Sequence, residues 1–219
     1  AQGGGVTVQS PATAVQAAAI DSALVGTGYH LTDAGSTTLS IANNGAVTVA
    51  QALQILAVDP TATFVGGIQD TAANLASLGG SQLATLATHV TGSAGVTATT
   101  AATAAQGAIL SYYATDITYS VADTAANLAA VTFDPARGNT PVNVTASGAT
   151  TAAGAAAIAA IGATGTVAIG GVTDTATNIA NLLGTANGAA ILSVVSSVAA
   201  TGSATVAQAR SEERRVGKE

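Results

Sequence analysis

The sequence predicts an α/β fold, a repetitive strand–helix solenoid on a parallel sheet, from three observations. One phrase recurs as IQDTAANLASL (68–78), VADTAANLAAV (121–131) and VTDTATNIANL (172–182), with Asp70, Asp123 and Asp174 separated by 53 and 51 residues. A second phrase falls between its copies: VTVAQALQIL (47–56), VTATTAATAAQGAIL (96–110), VTASGATTAAGAAAI (144–158) and the shortened ATVAQA (204–209). Large side chains are scarce, with two Phe, four Tyr and no Trp or Met, which suits thin stacked layers better than one thick core. Two kinds of rung therefore alternate, about 25 residues apiece, in a stack of about eight.

Each rung reads as a short strand followed by a helix. FVGGIQ (64–69), ITYSVA (117–122), PVNVTA (141–146) and TVAIGGVT (166–173) have the β-branched content of extended chain. TAANLASL (71–78), TTAAGAAAIAAIGA (150–163) and TATNIANLL (175–183) are dense in Ala, the strongest helix former. Their larger residues recur at helical spacing, as in Leu75 with Leu78 and Ile158 with Ile161. Strand and helix in alternation imply parallel pairing through crossovers. Tandem all-β sandwiches are the alternative, sharing the Thr, Val and Gly richness.

Irregularities set the boundaries. Residues 1–46 form a degenerate amino-terminal part: VTVQSPATAVQAAAIDSAL (6–24) reads as a worn rung with a helix starting at Ser10-Pro11. TGYHLTDAGSTTLSIANNGA (27–46) fits neither phrase and reads as an extra strand pair around Asn43-Asn44-Gly45. Residues 47–209 form the array. Within it, Gly79-Gly80 breaks one helix, and FDPARGNT (133–140) carries a turn signature at which the chain loops out. Residues 210–219, RSEERRVGKE, resemble codon for codon a translated short-read sequencing adapter and are read as a non-native tail. Together with the missing initial Met, they mark the sequence as a fragment, of the kind a metagenomic read supplies.

A chain passing from strand to helix leaves backbone N–H groups without partners. An Asp or Thr oxygen accepts from them, and the carboxylate's charge suits the positive helix end. Asp70-Thr71, Asp123-Thr124 and Asp174-Thr175 are the predicted caps. Asn74, Asn127 and Asn178, four residues after each Asp, are read as structural side chains bonded to backbone in the neighbouring rung or to one another.

The alternation of DTAANLAxL with VTxxxAxAAxxxIL resembles repeats of very large secreted or surface adhesin-like bacterial proteins, over residues 47–209. The resemblance implies a structural spacer or adhesive stalk, an extracellular or cell-surface location, and neighbouring repeats of the same chain as the main partners, with end-to-end self-association of exposed ends. Many such proteins bind calcium through GGxGxDxxx nonapeptides, and no copy of that motif occurs here. A calcium- or glycan-binding module is one alternative. A non-catalytic part of a secreted hydrolase is another.

Catalytic and ligand chemistry finds little material, and the expectation is a chain that is not an enzyme and has no cofactor. His30 and His89 lack zinc-motif spacing, and TGSAG (91–95) lacks the first Gly of a nucleophile elbow. No phosphate-cradling Gly loop is present, and the absence of Cys excludes disulfides and thiolate metal sites. An Asp ladder could hold calcium between rungs, but like copies two strands apart lie about 10 Å from each other, too far to share an ion. Tyr112, Tyr113 and Tyr119 are bulky filler, with a sugar-stacking platform as the alternative.

Charge excludes two further classes. Setting aside the four basic residues and three Glu of the tail leaves Arg137 alone against eight Asp, a net charge of −7 in place of −6. One Arg cannot neutralise a phosphate backbone or an anionic membrane surface, so no nucleic-acid partner is expected. Residues 138–173 and 175–209 carry no charge, but Thr, Ser, Asn and Gly interrupt every apolar run, so no membrane span is expected.

Overall fold

A computed structural model describes residues 5–7, 30–32, 46–58, 62–91, 93–113, 116–134 and 139–202. The chain has an α/β fold of parallel sheets and helices in two compact units. One comprises residues 1–101, 112–119 and 137–139; the other comprises residues 102–111, 120–136 and 140–219.

In the first unit, β1 (Gly5–Thr7) and β2 (His30–Thr32) pair in parallel. A three-stranded sheet follows in the order β3 (Ile68–Asp70), β4 (Val96–Ala98), β5 (Ile117–Thr118), and all its pairs are parallel. Ile68, Val96 and Ile117 stand opposite one another across the three strands and are all buried, so one inward row of β-branched residues runs through the sheet. Helix α1 (Val49–Val58) follows Val47, which bridges to Ile68; α2 (Ala72–Ser77) and α3 (Gly80–Thr88) connect β3 to β4. Gly67 makes the close sheet geometry feasible. Its φ is +76°, and a Cβ there would lie 2.6 Å from the carbonyl oxygen of Gly95.

The second unit holds α4 (Ala104–Tyr112) except for its last residue, and a four-stranded parallel sheet with strands in chain order. The strands are β6 (Val121–Thr124), β7 (Val144–Thr150), β8 (Val167–Thr175) and β9 (Val198–Thr201). Helix α5 (Ala125–Ala130) joins β6 to β7, α6 (Ala152–Ala160) joins β7 to β8, and α7 (Ala176–Leu183) with α8 (Gly188–Ser193) joins β8 to β9. Parallel neighbours require such crossovers.

Small residues let the helices approach their sheets. The first helical residues Ala72, Ala125, Ala152 and Ala176 are buried. One turn on from the first, second and fourth of these, Leu75, Leu128 and Ile179 fill equivalent positions at 0%, 0% and 3% exposure. Each such side chain contributes about 1.5–3 kcal/mol by leaving water. The largest fully buried side chains are Tyr119 and Phe64.

The all-β sandwich alternative is overturned, because every described strand pair is parallel and helices fill the connections. Several local expectations also shift. Residues 64–69 are not one strand: Phe64 makes only a bridge to Val90, and a turn precedes Ile68. The stretch 117–122 is divided between β5 and β6. Strand β8 runs on through Asp174 and Thr175, so the acidic residue lies in the strand and not at the helix start. Leu78 does not extend α2; it is the C-cap in extended conformation (φ −73°, ψ 145°). Phe133 and Asn139, at the two ends of the predicted looped-out segment, are buried. The helix at Ser10-Pro11, the turn at Asn43-Asn44-Gly45, the repeat at 204–209 and the tail 210–219 lie outside the described residues.

Candidate functional site

The recurrent phrase builds the same node three times. In each, Thr is the N-cap: the hydroxyls of Thr71, Thr124 and Thr175 accept the backbone N–H of Asn74, Asn127 and Asn178 at 3.1, 3.2 and 3.2 Å. Their φ near −65° and ψ near 150° are the extended values an N-cap requires. The preceding Asp, one residue before the cap, takes the cap's own N–H on Oδ1 at 2.7 Å in all three copies. The same oxygen accepts from the side-chain amide of the Asn four residues on, at 2.7, 2.8 and 2.8 Å.

The other carboxylate oxygen reaches elsewhere. Oδ2 of Asp70 accepts the N–H of Val49 at 3.0 Å, that of Asp123 accepts from Ala104 at 2.9 Å, and that of Asp174 accepts from Ala152 at 3.0 Å. Val49, Ala104 and Ala152 are the first residues of α1, α4 and α6, so each donor is one of the N–H groups a helix cannot satisfy itself. One carboxylate thus supports two helix starts about 20 residues apart in sequence. The sequence reading placed the contact to the neighbouring rung on Asn. The structure gives that contact to Asp, while Asn bonds back within its own repeat.

The surroundings hold these acids in their charged form. The Ala104 N–H, then the Asn127 amide and the Thr124 N–H, lower the pKa of Asp123 below the ordinary carboxylate value. The Asn178 amide, with the N–H groups of Ala152 and Thr175, does the same for Asp174. Each carboxylate receives three hydrogen bonds from its own chain. Asp123 and Asp174 lie on β6 and β8 with β7 between them, about 10 Å apart at ordinary strand spacing, so they do not form a catalytic pair.

The intervening phrase has its own device, which the sequence reading missed. Thr48 and Gln51 exchange bonds, Thr48 N–H to Gln51 Oε1 at 2.9 Å and Gln51 N–H to Thr48 Oγ1 at 3.3 Å. Thr103 and Gln106 repeat this at 3.0 and 3.3 Å. The pattern T-x-x-Q before an apolar run was the available signal. At Thr151 the hydroxyl still accepts from Gly154 N–H at 3.0 Å, but Gly154 has no side chain to return the bond.

The remaining candidates are structural or separated. His89 faces the carbonyl of Ala62 through Nδ1 at 2.8 Å and packs its ring against Phe64, with centroids 6.4 Å apart. His30 lies in β2, and Ser93 of TGSAG is exposed. The tyrosines do not form a platform: Tyr113 and Tyr119 are buried, whereas Tyr112 is 58% exposed. Asn139, which sequence reasoning did not single out, ties this region together in the first unit. It accepts from Ile117 N–H at 3.2 Å and donates to the carbonyl of Tyr113 at 2.6 Å, while its own carbonyl accepts from Tyr119 Oη at 2.9 Å. Tyr113 donates to the carbonyl of Leu78. Burial raises the pKa of both Tyr113 and Tyr119.

Among the described residues no group of three or more His, Asp or Glu stands together as a metal site, and no helix is long and apolar enough to cross a membrane. No family model, curated protein or solved structure matches the chain at a significant level.

Proposed function

We propose that this chain is a segment of a strand–helix solenoid that serves as a spacer or adhesive stalk in a large extracellular bacterial protein. The observation that carries this reading is the node repeated at Asp70, Asp123 and Asp174. Each carboxylate accepts from the start of its own helix and from the first residue of an earlier one. The most specific side-chain chemistry in the sequence is therefore spent on joining one strand–helix unit to another. That is what a load-carrying array requires of its repeats. Neighbouring repeats of the same chain are then its main partners, with neither cofactor nor catalysis in its role.

Small-angle X-ray scattering from the full chain tests the array. An elongated particle is expected, and a near-spherical one overturns the solenoid. Calorimetric titration with calcium separates a passive spacer from a calcium-binding module: no saturable heat is expected, and a saturable signal transfers the assignment to the binding module.

A further inference from the structure

Strand β9 occupies a place in the repeat where two earlier strands are covered on both sides. Ile68 pairs with Val96, Val121 with Val144, and Val172 with Val198, so β4, β7 and β9 follow the three Asp-bearing strands in the same way. On its far side β4 is covered in register by Ile117-Thr118, and β7 by Val167-Ala168. Among the described residues nothing covers the far side of β9. All four of its residues are exposed, Val198 at 38%.

The phase of the hydrogen bonds identifies the open groups. Val172 donates its N–H to the carbonyl of Ser197 at 2.8 Å. In a parallel ladder this turns Ala199 and Thr201 toward β8 and leaves the N–H and C=O of Val198 and Ala200 facing outward. Strand β1 is the complementary end: it pairs only with β2, and its Val6-Thr7 repeats the β-branched-then-Thr order of Ile117-Thr118.

We infer that the outer edge of β9 receives β1 of a second copy of this chain in parallel, with Val198 opposite Val6, so that copies join head to tail. The inference rests on the repeat-array reading and adds to it a particular edge, partner strand and register. The contact is heterologous, using a different strand on each copy, and therefore extends into chains of copies instead of closing as a symmetric dimer. The described edge groups of β9 carry no charge to oppose such pairing.

The chain contains no Cys, so single-cysteine variants report the contact directly. A mixture of full-length Val6→Cys and Val198→Cys chains, oxidised with copper phenanthroline, is expected to give a crosslinked dimer. Either variant alone is expected to give far less. Equal crosslinking of Val198→Cys with itself overturns the head-to-tail register. Sedimentation then tests the edge: the wild-type mass is expected to rise with concentration, and Ala200→Pro to weaken association about tenfold or more. Pro at residue 200 removes an outward N–H and spares the bonds to β8, so unchanged circular dichroism is expected of this variant. A wild-type chain that remains monomeric, or an Ala200→Pro chain that associates as well as wild type, overturns the inference. An elongated monomer in scattering leaves the array reading standing, so the two failures are distinguishable.

Discussion

The carboxylate of Asp70 and the backbone N–H of Val49 meet at 3.0 Å in a buried hydrogen bond spanning 21 residues of sequence. The other oxygen of Asp70 is occupied by Thr71 N–H and the Asn74 amide, so both oxygens act as acceptors. Asp70→Ala strands all three donors and is expected to destabilise the first unit by about 1–3 kcal/mol. Asp70→Asn replaces one acceptor oxygen by a donor and is expected to fall close to Asp70→Ala. Urea unfolding of the two variants checks this, and a wild-type midpoint for Asp70→Asn refutes the double-acceptor role.

The node also sets an acid limit. The folded pKa values of Asp123 and Asp174 lie below those of the unfolded chain, so the unfolded state takes up protons first as pH falls. Their contribution is fully present above the ordinary carboxylate pKa of about 3.9 and is lost as pH drops through the lowered folded values. Midpoints of urea unfolding measured from neutral pH to about pH 2 should fall over that window. Asp123→Asn combined with Asp174→Asn should flatten the fall.

At the alkaline end the sign is reversed. Burial raises the pKa of Tyr119, so its neutral form is favoured in the fold. Its contribution is fully present below the unfolded tyrosine pKa of about 10 and declines as pH rises from there toward the folded value. Tyr119→Phe should remove part of that slope while lowering stability at neutral pH by about 1 kcal/mol through loss of the bond to the Asn139 carbonyl. Thermal melts of both chains from about pH 8 to pH 11 decide it.

Gly188 is a packing constraint at the start of α8. A Cβ there would lie 1.8 Å from the carbonyl oxygen of Leu182, a backbone atom that cannot swing aside. In an open helix Gly→Ala stabilises by about 1 kcal/mol. Here Gly188→Ala is expected to destabilise and displace α8, with the loss visible in the thermal midpoint.

The local half of the node was legible in the sequence because its bonds span one, three or four residues. D-T-x-x-N placed Asp123, Thr124 and Asn127 at one helix start before any fold was known. T-x-x-Q carried equally local information that passed unread at Gln51 and Gln106. The partner of the second carboxylate oxygen was not legible, since the first N–H of any helix needs an acceptor and nothing near Val49 or Ala104 in sequence indicates which one.

The sequence by itself determined the alternation of β-branched and Ala-rich segments, the caps between them and the scarcity of chemistry beyond packing, because propensity and capping act within one or two turns. Only the tertiary structure decided the partition of residues 102–139 between two units, the division of 117–122 into two strands, and the burial of Asn139 against Tyr113 and Tyr119. Those outcomes join residues 20 or more positions apart. They depend on which surfaces meet once the layers stack, a choice that no short window of residues contains.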